Sequence, residues 1–197
     1  MTFNLGLTGS IGMGKSTTAN LFAAAGCAVW DADAAVHRLY DRGGAAVSAI
    51  QTQFPDAIID GRVDRQVLKG IISKNPKALT VIESIVHPLV AQDREGFRRT
   101  AEADILVFDI PLLFETGGDS EMDAVACVTI DAETQQKRVL ERGTMTLDQF
   151  LHIRQKQMPI KEKTERSDYV IVTDTLDHAR QQVGVILADI REKIANA

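Results

Sequence analysis

Cysteine, long apolar runs and positive charge are all scarce in this 197-residue chain. The two cysteines, Cys27 and Cys127, sit in separate apolar runs that read as two strands. A disulfide framework is therefore not expected, and buried free thiols in a reducing cytosol are. Cysteine and histidine show no metal-ligand spacing. No apolar run approaches the roughly 20 residues that cross a bilayer, and the N-terminus has neither a charged n-region nor an apolar h-region. The first strand starts almost at once. A cytoplasmic location without membrane partners is the expectation. Lys and Arg number 22 against 27 Asp and Glu, a net charge of −5, which argues against general nucleic-acid binding. Internal repeats and low-complexity linkers are missing too. The length suits one domain, with or without an inserted subdomain.

What is present begins with Gly9-Ser10-Ile11-Gly12-Met13-Gly14-Lys15-Ser16, which spells the G-x-x-x-x-G-K-[ST] phosphate loop. An apolar strand, Phe3 to Thr8, precedes it, and a helix, Ser16 to Ala25, follows and closes at Gly26. Glycines let successive N–H groups turn toward phosphate oxygens, and the helix N-terminus adds its positive dipole end. Gly12, Met13, Gly14, Lys15, Ser16 and Thr17 are expected to hold the donor phosphates. Lys15 should reach the β- and γ-phosphates, and the Ser16 hydroxyl should hold Mg²⁺. The chain is read as binding a nucleoside triphosphate.

A second strand, Cys27 to Asp31, ends in Asp31-Ala32-Asp33. Ligands of open α/β sheets collect at the C-terminal ends of strands. One of the two carboxylates could take a substrate proton or orient Mg²⁺, or could merely cap the next helix. Residues 34–102 read as a helical insertion, a usual place for a kinase's second substrate. His87-Pro88 falls within its last helix, Lys77 to Thr100, where Pro88 should kink or restart it. Asp104 to Asp109 is a third strand, and Asp109 has the form of the carboxylate that handles Mg²⁺. The apolar run Ile110 to Glu115 is expected to line the substrate crevice or pack under the insertion. Ala124 to Ile130 and Asp168 to Val172 are the fourth and fifth strands.

Between Lys137 and Arg166 there are eight Lys/Arg and four Asp/Glu, a local +4 in an acidic chain. That island is either a polyanion site or a solvated helix face. It holds two predicted helices, Ala132 to Arg142 and Thr146 to Gln157, with Arg138 and Arg142 at i, i+4 on one face. A basic helical hairpin of this kind would close as a lid over the triphosphate.

Residues 6–16, Asp-Ala-Asp (31–33), His-Pro-Leu (87–89), Asp-Ile-Pro-Leu-Leu-Phe-Glu (109–115), Arg138 with Arg142, and Gln157-Met158-Pro159 occur in one order. Together they resemble the dephospho-coenzyme A kinases, P-loop kinases of the nucleoside-monophosphate-kinase type, over nearly the whole chain. The resemblance implies an α/β fold of the P-loop three-layer α/β/α type. It implies a five-stranded parallel sheet, a nucleotide core (1–33, 103–135, 167–197), a helical acceptor region (34–102) and a lid (136–166). It also implies ATP-dependent phosphorylation of the ribose 3′-hydroxyl of dephospho-coenzyme A with Mg²⁺, and a monomer is the expectation. Asp33 is then the general base, and Lys15 and Arg142 are catalytic through their charge on the phosphoryl group. Arg138 and Arg142 contact ATP, and Ser16 and Asp109 hold the metal. Asp33, His87, Pro111, Leu112 and Leu113 border the acceptor. The chain departs from the family's usual pattern at Ser10, Met13, Gly143 and Val172-Thr173-Asp174, where Gly, Ser, Asn or Asp, and an Asn are usual. Two alternatives stand beside this reading. One is a shikimate-type kinase on the same scaffold. The other is a nucleotide-dependent switch, which would need the absent Asn-Lys-x-Asp motif and an Asp-x-x-Gly after strand three.

Overall fold

β1 (Phe3–Gly9) is buried on both faces from Leu5 to Gly9, and Leu5 and Leu7 have no exposed surface. Such a strand belongs at the centre of a sheet covered on both sides. In the computed structural model, which describes residues 2–196, it does lie there. The other strands of this sheet are β2 (Ala28–Asp31), β5 (Ile105–Asp109), β6 (Ala124–Thr129) and β7 (Tyr169–Val172), in the order β2-β5-β1-β6-β7. β1 runs parallel to β5 and β6, and β6 parallel to β7. The flanking helices are α1 (Lys15–Ala24), α6 (Ala132–Glu141), α7 (Leu147–Lys156), α8 (Ile160–Arg166) and α9 (Leu176–Ala195). The fold is the three-layer α/β/α type.

The chain divides into two compact units, Asp31–Thr100 and the remainder, Met1–Trp30 with Ala101–Ala197. The core of the sheet unit joins Leu5, Leu7 and Phe22 to Val107, Val128, Ile171 and the α9 stripe Val183, Ile186, Leu187 and Ile190. Each such side chain contributes about 1.5–3 kcal/mol on burial. Cys27 and Cys127 are buried free thiols, as the sequence suggests.

The Asp31–Thr100 unit holds α2 (Ala32–Tyr40), α3 (Val47–Gln53), α4 (Arg65–Lys74) and α5 (Lys77–Thr100). Its own core gathers Leu39, Ile50, Leu68, Ile82 and Val86. It also holds a short antiparallel hairpin, β3 (Ile58–Ile59) with β4 (Arg62–Val63), turned through Asp60 and Gly61. The sequence shows only that turn. α5 runs on through Pro88 without a restart. α8, also unforeseen, follows Pro159, which caps it rather than ending the chain's helical run.

Candidate active site

The loop between β1 and α1 needs glycine twice. Gly12 and Gly14 have φ of 77° and 84°, a region that side-chain-bearing residues rarely adopt. A Cβ on Gly12 would also lie 2.3 Å from Val139 Cγ2. α1 has no side-chain N-cap, so its first turn offers N–H groups and positive dipole to an anion. Ser16 and Thr17 are exposed there. Met13 and Ser10, the departures from the usual spelling, are buried. Met13 joins the core of the sheet unit.

Asp109 ends β5 with 1% of its surface exposed. Leu7 pairs with Asp109 in the parallel register, so this carboxylate and the glycine loop emerge at the same end of the sheet. Lys15 Nζ forms an ion pair with Asp109 Oδ1. Lysine and carboxylate thus meet beside the glycine loop.

Four side chains that the sequence analysis did not assign to this task hold the loop. Gln157 Oε1 accepts from the Ile11 N–H (3.1 Å), and Gln135 Nε2 donates to the Ile11 carbonyl (2.8 Å). The Thr173 hydroxyl donates to the Met13 carbonyl (2.9 Å). Arg138 donates to Thr173 Oγ1 (3.2 Å) and to the Thr173 carbonyl (2.8 Å). Its guanidinium is therefore spent on the end of β7 rather than held out to solvent. Arg142, at the C-cap of α6, is exposed and makes no hydrogen bond or ion pair among the described residues.

The apolar run after β5 divides by position. Leu113 has no exposed surface and packs with Phe114 and Val125. This corrects the expectation that it borders a substrate, because its side chain fills the space that Gly6 leaves empty. Leu112 is 42% exposed. The Pro111 carbonyl accepts from the Thr8 hydroxyl (3.1 Å) and from Lys163 Nζ (3.0 Å). Lys163 is wholly buried and pairs with Glu115 (2.9 Å), which also accepts the Met158 N–H (2.9 Å). This lysine, counted with the basic island, is a structural post rather than part of a solvated face.

In the Asp31–Thr100 unit the two carboxylates of Asp31-Ala32-Asp33 are placed differently. Asp31 Oδ1 accepts the Ala34 N–H (2.9 Å) and is the N-cap of α2. Asp33 is exposed in the first turn and has no hydrogen bond or ion pair among the described residues. His87 is exposed on α5.

Among the described residues no three His, Cys, Asp or Glu side chains cluster as a metal cage. A cation here would rely on Ser16, Asp109 and a nucleotide's own phosphates, the usual arrangement for Mg²⁺.

A glycine loop at the end of a central parallel strand, opening an uncapped helix beside a lysine–aspartate pair, defines a P-loop nucleotide-binding protein. The family model described as dephospho-CoA kinase matches residues 3–178. A Ruegeria pomeroyi protein named dephospho-CoA kinase is 68% identical over 191 residues, 97% of each chain. One of the same name from a Jannaschia species is 52% identical over 193 residues, 98% of this chain and 99% of its own. A Thermus thermophilus crystal structure superposes with a TM-score of 0.85 at 30% identity, covering 95% of this chain and 97% of that one. The chain belongs to the dephospho-CoA kinase family, and it is a transferase. Neither the shikimate-type kinase nor the regulatory switch is favoured by these matches.

Proposed function

We propose that the chain transfers the γ-phosphoryl group of ATP to the ribose 3′-hydroxyl of dephospho-coenzyme A, giving coenzyme A and ADP, the last step of coenzyme A synthesis. The observation that carries it is the glycine loop with Lys15 and Asp109, held rigid by Gln135, Gln157 and Thr173, in a chain of this family. Gly12 to Thr17 bind the donor phosphates through backbone N–H groups. Lys15 and Arg142 stabilise charge on the transferring group, where a positioned cation acts in a water-poor site. Arg138 serves the nucleotide through Thr173. Ser16 and Asp109 would hold Mg²⁺, which when bound neutralises charge on the β- and γ-phosphates.

Asp33 takes the proton from the 3′-hydroxyl. Its support is that Asp31 is already occupied as a cap, which leaves Asp33 as the free carboxylate of the pair. His87, Pro111 and Leu112 border the acceptor. The enzyme works as a cytoplasmic monomer. The test measures ADP release with and without dephospho-coenzyme A and identifies the product by mass. Acceptor-dependent ADP release with a product one phosphate heavier is expected. ADP release indifferent to the acceptor, or driven by shikimate instead, overturns the reading.

A further inference from the structure

The Asp31–Thr100 unit has an open concavity of its own, about 520 Å³ in volume, lined by α2, β4 and the start of α4. Its chemistry is unbalanced toward donors. Arg65 is the first residue of α4, directly after the N-cap Asp64. A cation there opposes the helix dipole, so helix stability does not explain it. Nor does an ion pair, because Arg65 forms none among the described residues. Its guanidinium instead meets His37 Nε2 at 2.8 Å. Arginine cannot give up its proton, so in this contact the imidazole nitrogen is the acceptor.

Two more donors line the same space unused. The Arg62 guanidinium and the Tyr40 hydroxyl make no hydrogen bond among the described residues. Burial raises the Tyr40 phenol pKa while the Arg65 charge pulls it back, so the two side chains feel one another. The acids at the rim are already engaged. Asp64 accepts the Gln66 and Val67 N–H groups, and Asp41 accepts the Arg42 N–H. Arg38 is paired with Asp93 and is not counted among the available cations.

α2 then sets the scale. Asp33 and His37 are four residues apart and share a face of the helix, one turn of about 5.4 Å between them. That is comparable with the span of a ribose from its 3′-oxygen to its 5′-phosphate. We propose that Tyr40, Arg62 and Arg65, with His37 orienting Arg65, form the subsite for the acceptor's 5′-diphosphate. The subsite fixes which ribose hydroxyl meets Asp33. It rests on the reading of Asp33 as the base toward the 3′-hydroxyl. Planar guanidinium forks suit phosphate oxygens in this role better than ammonium groups do.

Steady-state transfer from ATP to dephospho-coenzyme A tests it. Arg65→Gln should raise the acceptor KM about tenfold or more, and adding Arg62→Gln should raise it further, with the ATP KM unchanged. Arg65→Lys should recover part of the loss. Adenosine, which has no phosphates, should inhibit competitively against the acceptor with one Ki in parent and Arg65→Gln. An unchanged acceptor KM, or an equal loss for adenosine, overturns the subsite. A parent enzyme that releases no ADP with dephospho-coenzyme A overturns the acceptor reading instead. Inorganic pyrophosphate titrated into the ADP-saturated chain then decides the concavity alone. A Kd weakened about tenfold by Arg65→Gln supports it, and equal Kd values overturn it.

Discussion

Gly12 is constrained twice over, by a φ of 77° and by Val139 standing where its Cβ would go. The two constraints are separable. Gly12→Ala should weaken ATP binding at least tenfold, since strain of 1–2 kcal/mol from the left-handed backbone adds to the collision. Val139→Ala on that background should restore only part of it, because it removes the collision and not the strain. Full recovery, read by titration calorimetry, would mean that backbone conformation is irrelevant here. Cys127 makes a different point. It has no exposed surface, and burial pushes its thiol up to about 11. At about pH 8 only roughly a thousandth of it is thiolate, the reactive form. Alkylation of the native protein should leave Cys127 unmodified by mass spectrometry, and denaturant should expose it. Modification in the native state at rates of a free thiol would show that the strand opens.

At the scale of elements, Gln157 and Met158 lie side by side after α7 and bond to different things. Gln157 holds Ile11 in the phosphate loop, and Met158 is held by Glu115, which Lys163 of α8 grips in turn. Lys163→Met should therefore lower stability by about 3 kcal/mol in chemical denaturation, since it leaves Glu115 unpaired and the Pro111 carbonyl without its lysine donor. A change under about 0.5 kcal/mol would show that water replaces the amine.

These links mark the boundary of what the sequence disclosed. The strands Phe3–Gly9, Ile105–Asp109 and Ala124–Thr129 were legible as mostly apolar runs, because parallel strands buried on both faces carry few polar side chains. The loop was legible because its glycines answer to local backbone geometry. Leu113 looked like a substrate contact because an apolar residue outside a strand gives no hint of which neighbour it fills. Gln135, Gln157 and Thr173 were invisible as loop supports, since they act on partners 124, 146 and 160 residues away. Pro159 was read as a stop, although proline also starts helices. The two-residue strands β3 and β4 are too short to show alternation.

For the whole molecule, the roles assigned to Asp33 and Arg142 lie on different units, and their loss should read differently. Asp33→Asn should leave ATP affinity near normal and cut turnover by about 10²–10⁴, the range for a positioned base. Near-normal turnover would remove Asp33 from the reaction. Arg142→Ala should lower kcat more than it raises the acceptor KM, since its charge matters most in the transition state. A change confined to KM would make it a binding residue.

The place of β1 at the centre of the sheet bears on how the protein is made. Both of its partners, β5 and β6, lie about a hundred residues further along the chain. During synthesis β1 must wait without a partner until residue 109 has been added, and is not paired on both edges until residue 129, while Asp31–Thr100 already contains its own core. Pairings this distant are slow and leave sticky edges exposed. The nascent enzyme is therefore most vulnerable to aggregation in the interval between the completion of α5 and the arrival of β6.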